Sequence, residues 1–321
     1  MKGRALLALP PQLAVQRLAL AQLDAAATAC ARVADHDDAE ALHDFRVALR
    51  RLRSLLRAYA PWYDPVPKNL RKRLRRLARA TNAARDTEVQ IEWLRHTPPR
   101  LKAGARSGLD WLRARLAERQ RADNRAVRKE VRKEFAALEP RLRTALHARK
   151  HGRDSAAGAG ITFAQATDER LSVYCAELAA DLAGIGSAAD RDAIHAARIG
   201  GKRLRYLLEP LREAVPGAVA LVNAMKAFQD RFGELNDRFV SAREIEQAIE
   251  IAGAQAEQAL PGLRELAAWV ERDTNRRYRD IRARYLGRRA RKLLAPMRVL
   301  SRRLVVANTA NDSKPRRVRL K

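Results

Sequence analysis

Apolar residues recur three and four positions apart along almost the whole chain. Leu42, Phe45, Leu49, Leu52 and Leu56 form one such stripe, and Leu70, Leu74 and Leu77 form another. Steps of this kind return to one side of a helix. Period-two alternation is not sustained, and β-branched residues are scarce. The pattern predicts an all-α protein. Its breaks are legible. Asp35–Asp38 offers helix-capping residues, Pro61–Pro67 and Pro98–Pro99 read as turns, and Gly184–Ser187, Pro216–Gly217 and Pro261–Gly262 interrupt the second half. The helices expected are roughly 12–33, 38–59, 67–95 and 100–148, then 162–184, 189–213, 218–252 and 260–305. The fourth of each half is long enough to kink. Amphipathic helices in fours pack most simply as antiparallel bundles. The expected organisation is therefore a first four-helix bundle in 1–150, a linker at 151–160 (HGRDSAAGAG), a second bundle in 161–307 and a disordered basic tail at 308–321.

The two halves resemble each other. With a shift of 152, His43–Tyr59 (HDFRVALRRLRSLLRAY) falls on His195–Leu211 (HAARIGGKRLRYLLEPL). His43/His195, Arg46/Arg198, Arg51/Arg203, Leu52/Leu204, Arg53/Arg205, Leu55/Leu207 and Leu56/Leu208 are identical, and Arg50/Lys202 is conservative. The following helices match with a shift of 151, which sets Arg85–Asp86 on Asn236–Asp237. Duplication of a four-helix unit accounts for this internal repeat.

Inside the repeat, His43, Arg46, Arg50, Arg53 and Arg57 step by three and four, so they share one helix face. That face borders the apolar stripe, about 100° round the helix. His195, Arg198, Lys202 and Arg205 do the same in the second half, with Glu209 at the fifth position. A charged stripe is ordinarily a solvated face laced with ion pairs. Here the acidic partners are missing: there is no Asp or Glu between Phe45 and Tyr63, nor between Lys68 and Arg85. Like charges one turn apart oppose a helix, so an external anion is the better account of the stripe.

Composition supports that account. The chain has 321 residues, with 65 Lys plus Arg against 37 Asp plus Glu, a net charge of +28. Arg supplies 53 of the cations, and its rigid fork suits phosphate oxygens. A GC-rich genome explains Arg over Lys but not the excess charge, which favours an anionic partner. Hydrophobic residues at 47% allow a real core and exclude general disorder. Cys30 and Cys175 cannot make a disulfide framework and read as buried or half-buried thiols. No stretch of 18 residues is free of charge, so no membrane span is expected. Pro10–Pro11 and Arg17 argue against a signal peptide, leaving the cytoplasm as the expected location.

Glu40–Tyr59 (EALHDFRVALRRLRSLLRAY), followed by ARDTEV at Ala84–Val89, resembles the CHAD domain, the conserved histidine α-helical domain. Ile194–Leu211, followed by GELND at Gly233–Asp237, resembles its second half. The resemblance implies two pseudo-symmetric four-helix bundles with a basic groove between them. It also implies that the groove binds inorganic polyphosphate without catalysis, on or near polyphosphate granules. The motif positions are His43, Arg46, Arg50, Arg51 and Arg53, with His195, Arg198, Lys202, Arg203 and Arg205. Departures from the family pattern are Thr81–Asn82 in place of Leu-Gly, Glu88 in place of Asp, and the apolar Ala196–Ala197. Arg57 extends the first stripe, and Lys72, Arg73, Arg76, Arg79 and Lys226 on the following helices are expected second-tier contacts.

Polyphosphate carries about one charge per phosphate and has no bases to read, so its site needs charge, N–H donors and length. Affinity for it should fall steeply with salt. His43 and His195 have no ligand set around them in sequence and are expected to hydrogen-bond with a neutral ring. Asp86 and Asp237 read as orienting ion-pair partners in preference to magnesium ligands. No cofactor is expected. Three other readings stay open. One is a general polyanion or nucleic-acid binder, which the scarce, packing-like aromatics disfavour. Another is a phosphoanhydride enzyme, for which no Walker loop, carboxylate cluster or nucleophile is present. The last is a storage-granule surface protein, compatible with polyphosphate binding.

Overall fold

The computed structural model describes residues 3–34, 38, 40–96, 106–148 and 160–312, and among these it is helical throughout, with no strand. The helices are α1 (Gly3–Leu7), α2 (Pro11–Arg32), α3 (Glu40–Ala58), α4 (Lys68–His96), α5 (Arg106–His147), α6 (Phe163–Ala183), α7 (Arg191–Leu208), α8 (Ala218–Gln255), α9 (Leu260–Tyr285) and α10 (Arg288–Asp312). Their ends follow local chemistry. Pro11 opens α2, where its missing N–H costs nothing. Thr162 and Gln165 close a reciprocal capping box on α6, with Thr162 N donating to Gln165 Oε1 at 2.7 Å. Pro210 turns the end of α7 into a single 3-10 turn, Glu209–Leu211.

Two expectations change. The helix expected over 260–305 is two helices, because Gly287 takes φ +60 and the chain turns there. The last helix also runs past Asn308 to Asp312. Most of the expected linker (151–159) and the rest of the expected tail (313–321) lie outside the described residues, as do His36, Pro98–Pro99 and the side chain of Asp86.

Among the described residues the apolar side chains gather in two cores, and each takes residues from both halves of the sequence. The larger joins α2, α3, the start of α4 and the end of α5 to α6, α7, the start of α8, the end of α9 and α10. Phe45, Tyr59, Phe163, Phe228 and Phe232 are its fully buried aromatics. The smaller lies at the far ends of the long helices. Ile91, Leu94, Leu112 and Leu116 of α4 and α5 pack there with Ile245, Leu263, Leu266 and Val270 of α8 and α9. Gly108 is held so close to this second hairpin that a Cβ would lie 2.5 Å from the Ala259 carbonyl oxygen.

Positions that match in the repeat touch one another at separate places. Ser241 Oγ donates to Gln90 Oε1 at 2.9 Å, 151 residues apart. Ser107 Oγ donates to the Gln258 carbonyl, and Gly108 abuts Ala259, at the same separation. Arg50 and Lys202, the matched cations of α3 and α7, lie within electrostatic reach of each other.

Candidate polyanion site

The hydrophobic stripe fixes how α3 presents its cations. Leu42, Phe45, Leu49 and Leu52 are buried, Arg46, Arg50 and Arg53 on the adjoining face are half-buried, and His43 and Arg57 are exposed. In α7, Ile194, Ala197 and Leu204 are buried, Arg198, Lys202, Arg203 and Arg205 are half-buried, and His195 is exposed. The two helices pack against each other, so the two cationic faces meet.

Lys202 stands at the meeting point. Burial and the guanidiniums of Arg198, Arg50 and Arg205 push its amine down to about 7, against a smaller opposing pull from Asp237. Tyr206 is buried beside it, and the Arg205 and Arg50 guanidiniums approach its ring at 4.9 and 5.9 Å. An aromatic face holds cations in place without neutralising them. Arg50 Nε is buried and meets no acceptor among the described residues. Donors left this way are what an anion would satisfy.

A second cluster adjoins the first. Arg53 is held below its ordinary pKa by burial and by Arg57, Arg75 and Arg79. Arg75 was not among the residues expected from sequence. The repeat itself could have found it, since it lies 151 residues before Lys226.

Several other predicted residues, and Arg205 of the cluster itself, meet carboxylates. Arg51 Nε donates to Glu209 Oε2 at 2.8 Å, and Arg205 Nε lies 3.4 Å from Glu209 Oε1. Arg203 Nη1 donates to Glu177 of α6 at 3.0 Å. Arg73 and Arg76 both donate to Glu134 of α5, at 3.3 and 2.9 Å, and hold its carboxyl below the usual range. Lys72 is exposed, about 180° round α4 from its buried side. Lys226 is exposed on α8.

His195 Nδ1 lies 3.4 Å from Asn236 Oδ1, so the ring bridges α7 to α8. Among the described residues no group of three or more His, Cys, Asp or Glu side chains could hold a metal ion. Asp237 pulls the pKa of Lys202 and of Arg238 upward. Cys30 is buried and Cys175 half-buried, and burial raises both thiols, Cys175 to about 11. No helix among the described residues is long and apolar enough to cross a membrane.

The family model for the CHAD domain matches residues 17–246, well over half of the chain. The chain belongs to the CHAD domain family. Its fold is similar to that in the crystal structure of the CHAD domain from the plant Ricinus communis, with a TM-score of 0.71. The match covers 90% of this chain and 93% of that one at 24% identity. No curated protein matches the chain. CHAD domains are non-catalytic regulatory modules generally associated with polyphosphate-related systems. This basic, all-α CHAD protein is non-enzymatic on that ground.

Proposed function

We propose that this CHAD domain binds inorganic polyphosphate in a basic groove where α3 and α7 meet, and that binding targets it to polyphosphate granules or organises them. The observation that carries the reading is the cluster around Lys202. Four cations from two helices crowd there, and two of them, Arg50 and Arg205, approach the ring of Tyr206. A linear phosphate chain offers many oxygens and no base edges. It would be gripped by charge-assisted N–H donors at about 2.7–2.9 Å. The contacts between matched positions at Gln90–Ser241 and Gly108–Ala259, with Arg50 and Lys202 in electrostatic reach of each other, support a pseudo-two-fold axis through the groove. They also support two bundles, 1–150 and 161–307, related by duplication.

The test is a salt-titrated competition between long-chain polyphosphate and single-stranded DNA. A tenfold or greater preference for polyphosphate at about 0.15 M salt, ~1.4 kcal/mol, supports a site shaped for linear phosphate. Equal competition with one common salt slope leaves a generic polyanion surface and moves the nucleic-acid reading ahead.

A further inference from the structure

The repeat allows each cation of one half to be checked against its counterpart. Beyond the meeting point of α3 and α7, the first half presents Arg53, Arg57, Arg75 and Arg79, which lie close enough to depress Arg53 together. The matching positions of the second half are Arg205, Glu209, Lys226 and Asp230. Four cations in one half thus correspond in the repeat to two cations and two carboxylates in the other. The carboxylate of Glu209 is engaged: it accepts from Arg51 of α3 at 2.8 Å and lies 3.4 Å from Arg205 Nε. It occupies two arginines of the predicted site. On the other side, where Arg57 stands in place of a carboxylate, Arg203 turns to Glu177 of α6 instead.

We infer that Glu209 is a specificity residue that closes one end of the groove, so that a polyphosphate chain is held along the α3 and α4 arm and stops at α7. The inference rests on the polyphosphate reading and adds a direction to it. A chain crossing a symmetric groove would bring its phosphates against Glu209 and the exposed Asp230. Repulsion and the occupied Arg51 and Arg205 make that arm the poorer one. Phosphates leaving the Lys202 cluster toward Arg53, Arg57, Arg75 and Arg79 meet four neighbouring cations.

The experiment measures polyphosphate affinity against salt for wild type, Glu209→Gln and Asp230→Arg, with Asp110→Arg as a control adding the same charge on α5. Each further phosphate that the protein neutralises steepens the log–log salt slope by about 0.7, which at about 0.1 M salt is on the order of fivefold in affinity. Glu209→Gln releases two arginines, so tighter binding with a steeper slope is expected. Asp230→Arg should neutralise about one phosphate more than wild type, and Asp110→Arg should change little. If Glu209→Gln binds no tighter at an unchanged melting temperature, the inference fails and the polyphosphate reading stands. Should that variant lose stability, an unchanged affinity in Asp230→Arg overturns the inference equally. An equal rise in affinity for Asp110→Arg assigns the effect to bulk charge and also overturns it. A wild type that does not bind polyphosphate overturns both.

Discussion

Helices α3 and α7 carry the same motif and pack in different ways. In α3, Leu49 and Phe45 fill the core, and Phe45 meets Phe135 of α5 edge-on at 5.0 Å. In α7 the matching residues are Gly201 and Ala197. The volume is returned from the neighbouring helix: Phe228 of α8, which stands where α4 has Leu77, presses on Gly201. A Cβ on Gly201 would lie 2.4 Å from that ring. So α7 lies tightly along α8, while α3 meets α4 only sparingly. The clasped helix carries Lys202, half-buried among other cations. The splayed one leaves room for Arg53 beside Arg75 and Arg79. One sequence motif thus yields a shielded cation in one half and an open arginine fan in the other, because core volume moved between neighbours.

The largest expected effect comes from removing the charge that both helices share. Arg50, Arg53, Lys202 and Arg205 all changed to Glu should weaken polyphosphate binding more than a hundredfold, with far-ultraviolet circular dichroism unchanged. Lost helicity would mean that these side chains hold the fold. Next is the clasp itself. Gly201→Leu, which installs the residue of α3, should destabilise by about 3 kcal/mol or more in denaturant unfolding. Tolerance of leucine there would show that α7 and α8 can part, and would remove the basis of the contrast.

Lys202 gives a smaller and more diagnostic effect. Its amine titrates near 7 in the folded protein and at its ordinary 10.5 when unfolded. The unfolded chain therefore holds a proton that the folded one has released between those values, and stability rises with pH across that window. Below about 7 the full cost of burying the charge is present. Lys202→Met should remove this dependence and stabilise the ligand-free protein at pH 6 by about 1–2 kcal/mol, read from chemical denaturation. Polyphosphate prefers the protonated amine, so wild-type affinity should fall as pH rises above about 7. Lys202→Arg, charged throughout, should show a flat profile by titration calorimetry. The smallest effect is expected on α4. Glu134→Gln frees Arg73 and Arg76 from a solvent-screened carboxylate and should leave stability in denaturant unfolding all but unchanged.

Much of this was legible in the chain. The three-and-four spacing of Leu42 to Leu56 set α3, its buried side and the bordering cations. The repeat located α7 and matched Lys202 to Arg50. What periodicity could not show is which flank of a helix meets which neighbour. Arg75 and Arg76 are adjacent in sequence and about 100° apart on α4, so one joins Arg53 while the other reaches Glu134, 58 residues away. The turn at Gly287 was hidden because apolar residues continue through it, Tyr285 and Leu286 before and Leu293 and Leu294 after. A lone glycine is tolerated in many helices. The core shared by the far ends of α4, α5, α8 and α9 was invisible for the same reason: an amphipathic stripe announces a buried side and does not name its partner.

That shared core bears on how the protein is made. Ile91, Leu94, Leu112 and Leu116 are synthesised long before Ile245, Leu263, Leu266 and Val270, which cover them. At translation rates of about 5–20 residues per second, the nascent first hairpin waits on the order of ten seconds with an apolar end uncovered. During that interval its safety depends on chaperones, or on the ribosome that is still holding it.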